Sequence, residues 1–166
     1  MRKGLLSLLF IISISFVNAK AQINLQEQPM WCWASCIQSA LYQANISVSQ
    51  AQVVTTLTGW PQNRPATSFE VIGVLKAYGL TAWAIAYPAN YQQLYQTLNT
   101  GWKLIAFVNP SNNPQIGHFI MLQGIAPNGL VVISDPANGQ TYQQHIQQLY
   151  TAWNWKSSIV VGRPQY

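Results

Sequence analysis

The chain has 166 residues, of which 49% are hydrophobic and only 7% charged. That is long enough for one domain with one buried core, and solubility must come from the many Gln, Asn, Ser and Thr side chains. Eight Lys and Arg against three Asp and Glu give a formal +5. The basic residues are dispersed, however, which excludes nucleic acid as a partner, and the apolar and aromatic content excludes disorder.

The opening stretch, MRKGLLSLLFIISISFVNAKAQ, has Arg2 and Lys3, an apolar run from Leu5 to Val17, and then small residues. This is the pattern of a secretory signal peptide over residues 1–21, with small-x-small exits ending at Ala19 and Ala21. The competing reading is an uncleaved N-terminal anchor, for which the run is short. No cysteine follows closely, so neither a lipid anchor nor a stable membrane anchor is expected. Loss of Arg2, Lys3 and Lys20 with the signal leaves Arg64, Lys76, Lys103, Lys156 and Arg163 against Glu27, Glu70 and Asp135. The expected product is an exported protein, secreted or periplasmic, with one domain over residues 22–166.

A polar lead, INLQEQP, precedes CWASCIQSALYQA, a predicted helix with apolar residues at three- and four-residue steps. SVSQAQVVTTLTG is a second helix, closed by Gly59. WPQNRPA is a loop. Thr67 and Glu70 have capping-box spacing ahead of a third helix, VIGVLKAYG, which Gly79 ends. LTAWAIA is a strand, and NYQQLYQTLNTG a fourth helix stopped by Gly101. WKLIAFVN is a strand; GHFIMLQGI and LVVISDP form a hairpin through Asn128-Gly129. A short helix through HIQQLYTAW and a last strand, SIVVG, complete the chain. Helices first and an antiparallel sheet afterwards give an α+β fold. The Asn45-Ile46-Ser47 sequon is read as chance in a chain so rich in Asn and Ser.

Cys32 and Cys36 are the only cysteines. One helical turn apart, their side-chain directions suit a disulfide dihedral poorly, so two free thiols are expected. Two cysteines without histidines at ligand spacing make no structural zinc site, and neither metal nor cofactor is expected. Cys36, on the core side of the helix, reads as structural. Cys32, at the helix start, is the candidate nucleophile, because the helix dipole and a nearby imidazolium favour thiolate there. A buried thiol is the competing reading.

A cysteine nucleophile needs a base and a group that orients the base. The histidines are His118 and His145, and Asp135 is the only aspartate. His118 begins one strand of the predicted hairpin and Asp135 ends the other. With a bulge or a few residues of offset, both fall at one end of the sheet. Asp135 also lies in SDPANG, which reads alternatively as a plain turn. His145 has no evident partner and reads as a surface residue. An oxyanion needs a backbone N–H and often a side-chain amide. Gln26, six residues before Cys32, is the candidate, and Gln28 its competitor. Trp31, Trp33, Trp153 and Trp155 read as core and cleft wall.

Gln26, then Cys32-Trp33-Ala34 opening a helix, then Gly117-His118 on a strand and Asp135 on the next, resemble the papain-like cysteine peptidases. The likeness is to small bacterial members: bacteriocin-leader peptidase domains and secreted effector proteases of plant pathogens. It covers the order and spacing of essentially the whole mature chain. It implies a papain-like fold, with Cys32 as nucleophile, His118 as base, Asp135 as orienting residue and Gln26 as oxyanion donor. Trp31 stands where papain-type enzymes carry a small residue, the helix lacks their disulfide partners, and Asp135 replaces their Asn. With about ten residues between signal and Cys32, no inhibitory pro-segment is expected, which favours narrow specificity. The resemblance predicts a peptidase acting on a protein or peptide substrate; export is expected from the signal-like pattern, and a monomer is expected without any signal for the oligomeric state. An amidase or acyl transferase with the same thiol chemistry, or a catalytically silent peptide-binding module, are the alternatives.

Overall fold

The computed structural model describes residues 23–113 and 117–162. The expected signal peptide, 1–21, lies outside the described residues. Five helices and six strands follow in the order α1 (Cys32–Gln43), α2 (Gln50–Thr58), α3 (Ser68–Ala77), β1 (Thr81–Ile85), α4 (Tyr91–Asn99), β2 (Lys103–Val108), β3 (His118–Ile125), β4 (Val131–Asp135), β5 (Gln140–Gln144), α5 (Ile146–Thr151) and β6 (Trp155–Gly162).

Local chemistry sets most of these boundaries. Ser49, Thr67 and Asn90 each cap a helix, accepting from the third residue's N–H while Gln52, Glu70 and Gln93 reach back to the cap N–H. Each such reciprocal pair satisfies two N–H groups that a helix start leaves orphaned. Gly59, with φ near +80°, closes α2 by returning its N–H to Thr55.

The strands form one antiparallel sheet in the order β1-β6-β2-β3-β4-β5. Both of its faces are covered. Phe119, Met121, Ile105, Ile159 and Val161 pack with the buried sides of α1, α2 and α3. Ile120, Leu122, Leu104 and Ile133 pack with Leu94 and Leu98 of α4 and Leu149 of α5. The segregated layout expected from the sequence is therefore refined to a sheet between two helical layers. β3 runs centrally and is apolar on both faces from Phe119 to Leu122, each at most 4% exposed.

β5 is absent from the sequence reading. It is an edge strand, QTYQQ, with no residue fully buried. It exists because its backbone completes the ladder of β4, from Val131↔Gln144 to Asp135↔Gln140. No amphipathic alternation announces such a strand.

Candidate active site

Cys32 is the first residue of α1. The N-cap position is Trp31, whose side chain makes no capping bond, and no acidic residue lies in the first turn. The N–H groups of this turn have no intrahelical partner and face the region around the thiol as partial positive charge.

Two indoles fix the helix start. Trp31 Nε1 donates to Gln62 O at 2.7 Å and Trp33 Nε1 to Arg64 O at 3.1 Å. Met30 N donates to Asn63 Oδ1 at 3.0 Å. The loop WPQNRPA is thereby laid along residues 30–33. Trp31 and Trp33 are 4% and 0% exposed, so both indoles are turned into the protein.

His118 opens β3 and Asp135 ends β4. Their side chains meet, His118 Nε2 to Asp135 Oδ1, at 2.7 Å. The hairpin between them turns at Ala126–Leu130, closed by Gly129 N to Ala126 O and Ala126 N to Leu130 O. Asp135 Oδ1 also accepts from Ala137 N at 2.9 Å, and Asp135 O accepts from Gly139 N. SDPANG is therefore a turn, and that turn holds the Asp135 carboxylate against His118.

Nε2 is committed to Asp135, and the Cys32 side chain is near enough to act on the same ring. Burial disfavours the charged imidazole. Its hydrogen bonds to Asp135 and Cys32, together with their charges, outweigh that cost and raise the His118 pKa to about 9. At neutral pH the ring is an imidazolium. Burial pushes the Asp135 carboxyl up, but the bonds from His118 and Ala137 dominate and hold it below its usual range.

Cys36, one turn along, is fully buried and donates its S–H to Phe119 O at 3.5 Å. Burial, with the charges of Cys32 and Asp135 adding, pushes its thiol well above the usual value. Neither cysteine is in a disulfide. His145 occupies the N-cap position of α5, exposed and without a capping bond.

Gln26 stands beside the group. Its backbone N–H donates to Pro136 O, immediately after Asp135, at 2.9 Å. Its side-chain nitrogen donates to Pro29 O at 2.7 Å and to Gln28 O at 3.1 Å, while Oε1 is buried without a hydrogen-bond partner. Reversing the amide would set its oxygen against two carbonyl oxygens, so the two carbonyls fix its orientation. Gln28 is exposed, and its carbonyl, which also accepts from Trp31 N, helps to hold Gln26.

Sequence reasoning missed one support. A Cβ placed on Gly117 would lie 2.0 Å from the Phe107 ring, so that ring packs directly on the backbone ahead of His118. Phe107 is itself seated against Phe119, with ring centroids 5.0 Å apart. The Gly-His pair marked the site, but nothing in the sequence names the ring that requires the glycine.

A cavity of about 380 Å³ lies elsewhere, lined by Tyr42, Gln43, Ala44, Leu80, Lys103 and Gly162 near the C-terminal end of α1. It includes none of Cys32, His118 and Asp135.

A family model described as "Papain-like cysteine protease AvrRpt2" matches residues 15–155. No curated protein matches the chain. Among solved structures, the peptidase domain of Streptococcus ComA, a bifunctional ABC transporter of a quorum-sensing pathway, superposes with a TM-score of 0.68 at 14% identity, over 86% of this chain and 98% of that one. A C39-like peptidase from Bacillus anthracis gives 0.66 at 14%, over 90% and 98%. A double-glycine-motif protease from an AMS/PCAT transporter, solved with its leader peptide, gives 0.64 at 19%, over 89% and 94%. At these identities the likenesses establish a shared fold.

Proposed function

Because the chain belongs to the papain-like cysteine protease family, we propose that it hydrolyses peptide bonds through Cys32, His118 and Asp135, with Gln26 assisting, after export from the cell. The observation that carries this is the 2.7 Å bond from His118 to Asp135, with Cys32 acting on the same ring.

The chemistry follows from the proton positions. His118, charged at neutral pH, and the uncapped start of α1 surround the Cys32 sulfur with positive charge, the setting in which a cysteine acts as nucleophile. The thiolate attacks the scissile carbonyl carbon. The carbonyl oxygen takes the negative charge in the tetrahedral intermediate, and the first-turn N–H groups of α1, which have no intrahelical partner, are backbone donors for it. The C–N bond breaks as His118 gives its proton to the departing amine, leaving a thioester and a neutral ring. The neutral ring then takes a proton from water, whose oxygen attacks the thioester and releases the acid. Asp135 remains ionised throughout and fixes the ring plane.

Gln26 joins by exchanging one of its loop bonds. The bond to Gln28 O, at 3.1 Å, is the longer of the two and the easier to give up. Donation to a full negative charge offsets the loss of a neutral acceptor. Export is proposed from the signal-like pattern of residues 1–21.

Digestion of a peptide library by the purified protein tests this reading. Cleavage products with free carboxyl ends, absent with Cys32→Ala, are expected. Transfer of the acyl group to added amines in place of hydrolysis would redirect it to a transferase. No turnover together with an inert Cys32 would refute it.

A further inference from the structure

The β3–β4 ladder contains one irregular step. Ile125 pairs with Val131 and Gly124 with Val132; Gln123 is then passed over, and Leu122 pairs with Ile133 and Met121 with Ser134. Opposed residues of an antiparallel pair share a face, as do residues two apart on one strand. Continued by one step, this register sets Ile120 opposite Asp135, on the face of His118. A regular ladder from the same turn would oppose Gln123 to Ile133 and Met121 to Asp135. Asp135 would then stand on the face of Phe119 and Met121, away from His118.

Hydrophobic patterning does not choose between the two registers. A slip of one residue moves a strand's side chains to opposite faces, which is costly when only one face is apolar. Here Phe119, Ile120, Met121 and Leu122 are all buried and all apolar. The choice falls to polar contacts at the passed-over residue. Gln123 is 4% exposed. Its Oε1 accepts from Gln43 Nε2 of α1 at 2.9 Å, and its Nε2 donates to Ser134 Oγ of β4 at 3.3 Å. Ser134 Oγ in turn lies 2.7 Å from Thr141 Oγ1 of β5. The Gln123 carbonyl accepts from Lys103 Nζ of β2. Gln123 is thus tied to both neighbouring strands, β2 and β4, through Ser134 to β5, and to the helix that carries Cys32.

We propose that Gln123 is a positioning residue: as the extra residue of a β-bulge, held by Gln43 and Ser134, it fixes the register that places Asp135 beside His118. Bulges re-aim side chains in this way. The positioning role rests on the peptidase reading; the register effect does not.

The experiment follows the His118 ring by NMR titration in the whole protein, with exposed His145 as internal control. Wild type is expected to titrate near 9. Gln123→Ala keeps the extra residue and removes its ties, so His118 should move toward the ordinary value of about 6.5. Deletion of Gln123 removes the surplus residue and leaves Leu122↔Ile133 as the natural next pair, so His118 should return to near 9. A role in bulk stability alone predicts the opposite order, with deletion worse than alanine. Val54→Ala, a buried core change on α2, should lower the melting temperature without moving His118. If Gln123→Ala does not fold, Gln43→Ala makes the same test from the α1 side. A folded Gln123→Ala or Gln43→Ala protein with His118 still near 9, or a deletion that lowers His118 further than alanine does, overturns the proposal. Because the readout is a proton on His118, loss of peptidase activity with these values intact would break the peptidase reading alone.

Discussion

The first turn of α1 and the turn beneath it carry the same functional group in opposite surroundings. Cys32 sits where helical N–H groups are unpaired, beside an imidazolium held by a carboxylate. Cys36, four residues on, is sealed under the sheet, gives its proton to Phe119 O and has its ionisation pushed up by burial. The two thiols therefore differ in what surrounds them more than in burial, for Cys32 is itself only 9% exposed. What separates the two is access to the His118 ring and to unpaired backbone donors.

The largest effect should come from removing the chemistry of the first turn. Cys32→Ala and His118→Ala are each expected to lower kcat by at least about 10⁴-fold with the fold intact by circular dichroism, because members of a catalytic group fail together. Next is Gln26→Ala, expected to lower kcat by roughly 10²-fold with KM little changed, as for an interaction made mainly in the transition state. Gln28→Ala should be nearly silent in the same assay, since Gln28 contributes its backbone carbonyl.

Asp135→Asn sharpens the comparison through pH. The amide still holds the ring, so turnover should fall by about an order of magnitude, the difference between a charge-assisted and a neutral hydrogen bond. The His118 pKa should drop from about 9, drawing the alkaline limb of kcat/KM to lower pH. Stability is linked in the same direction. A histidine raised from 6.5 to about 9 contributes fully below 6.5, and the contribution is lost as pH rises through 9. Wild type should therefore lose melting temperature across that window, and Asp135→Asn should lose less. Asp135, held low, contributes above the ordinary carboxylate range and loses that contribution as the solution is acidified.

The smallest effect on activity belongs to the second turn. Cys36→Ala should leave kcat/KM unchanged and lower stability by about 1 kcal/mol in denaturant melts, for the lost sulfur and its bond to Phe119 O.

Much of this molecule was legible from sequence because its signals are local. Thr67 and Glu70 mark a helix start, Gly59 a helix end, and Asn128-Gly129 a hairpin, each through bonds within a few residues. His118 and Asp135 were placed at one end of the sheet by counting outward from that hairpin, with a bulge allowed. The position of the bulge was not legible, because residues 119–122 are apolar on both faces and accept either register. β5 was missed because an edge strand of amides buries too little to show a pattern. The anchoring of Trp31 and Trp33 to Gln62 O and Arg64 O was equally hidden, since backbone carbonyls 31 residues away carry no sequence signal. Gln26 is singled out by its spacing from Cys32, but its bonds to Pro29 O and Gln28 O depend on the path of the lead.

The central claim is that α1 carries one reactive thiol and one structural thiol. Limited alkylation with iodoacetamide near neutral pH, read by peptide mass spectrometry, tests it most directly. The account predicts modification at Cys32 well before Cys36, with the Cys32 rate reduced in His118→Ala and nearly unchanged in Gln26→Ala, since alkylation forms no oxyanion. Equal labelling of the two cysteines in folded protein, or preference for Cys36, would contradict it.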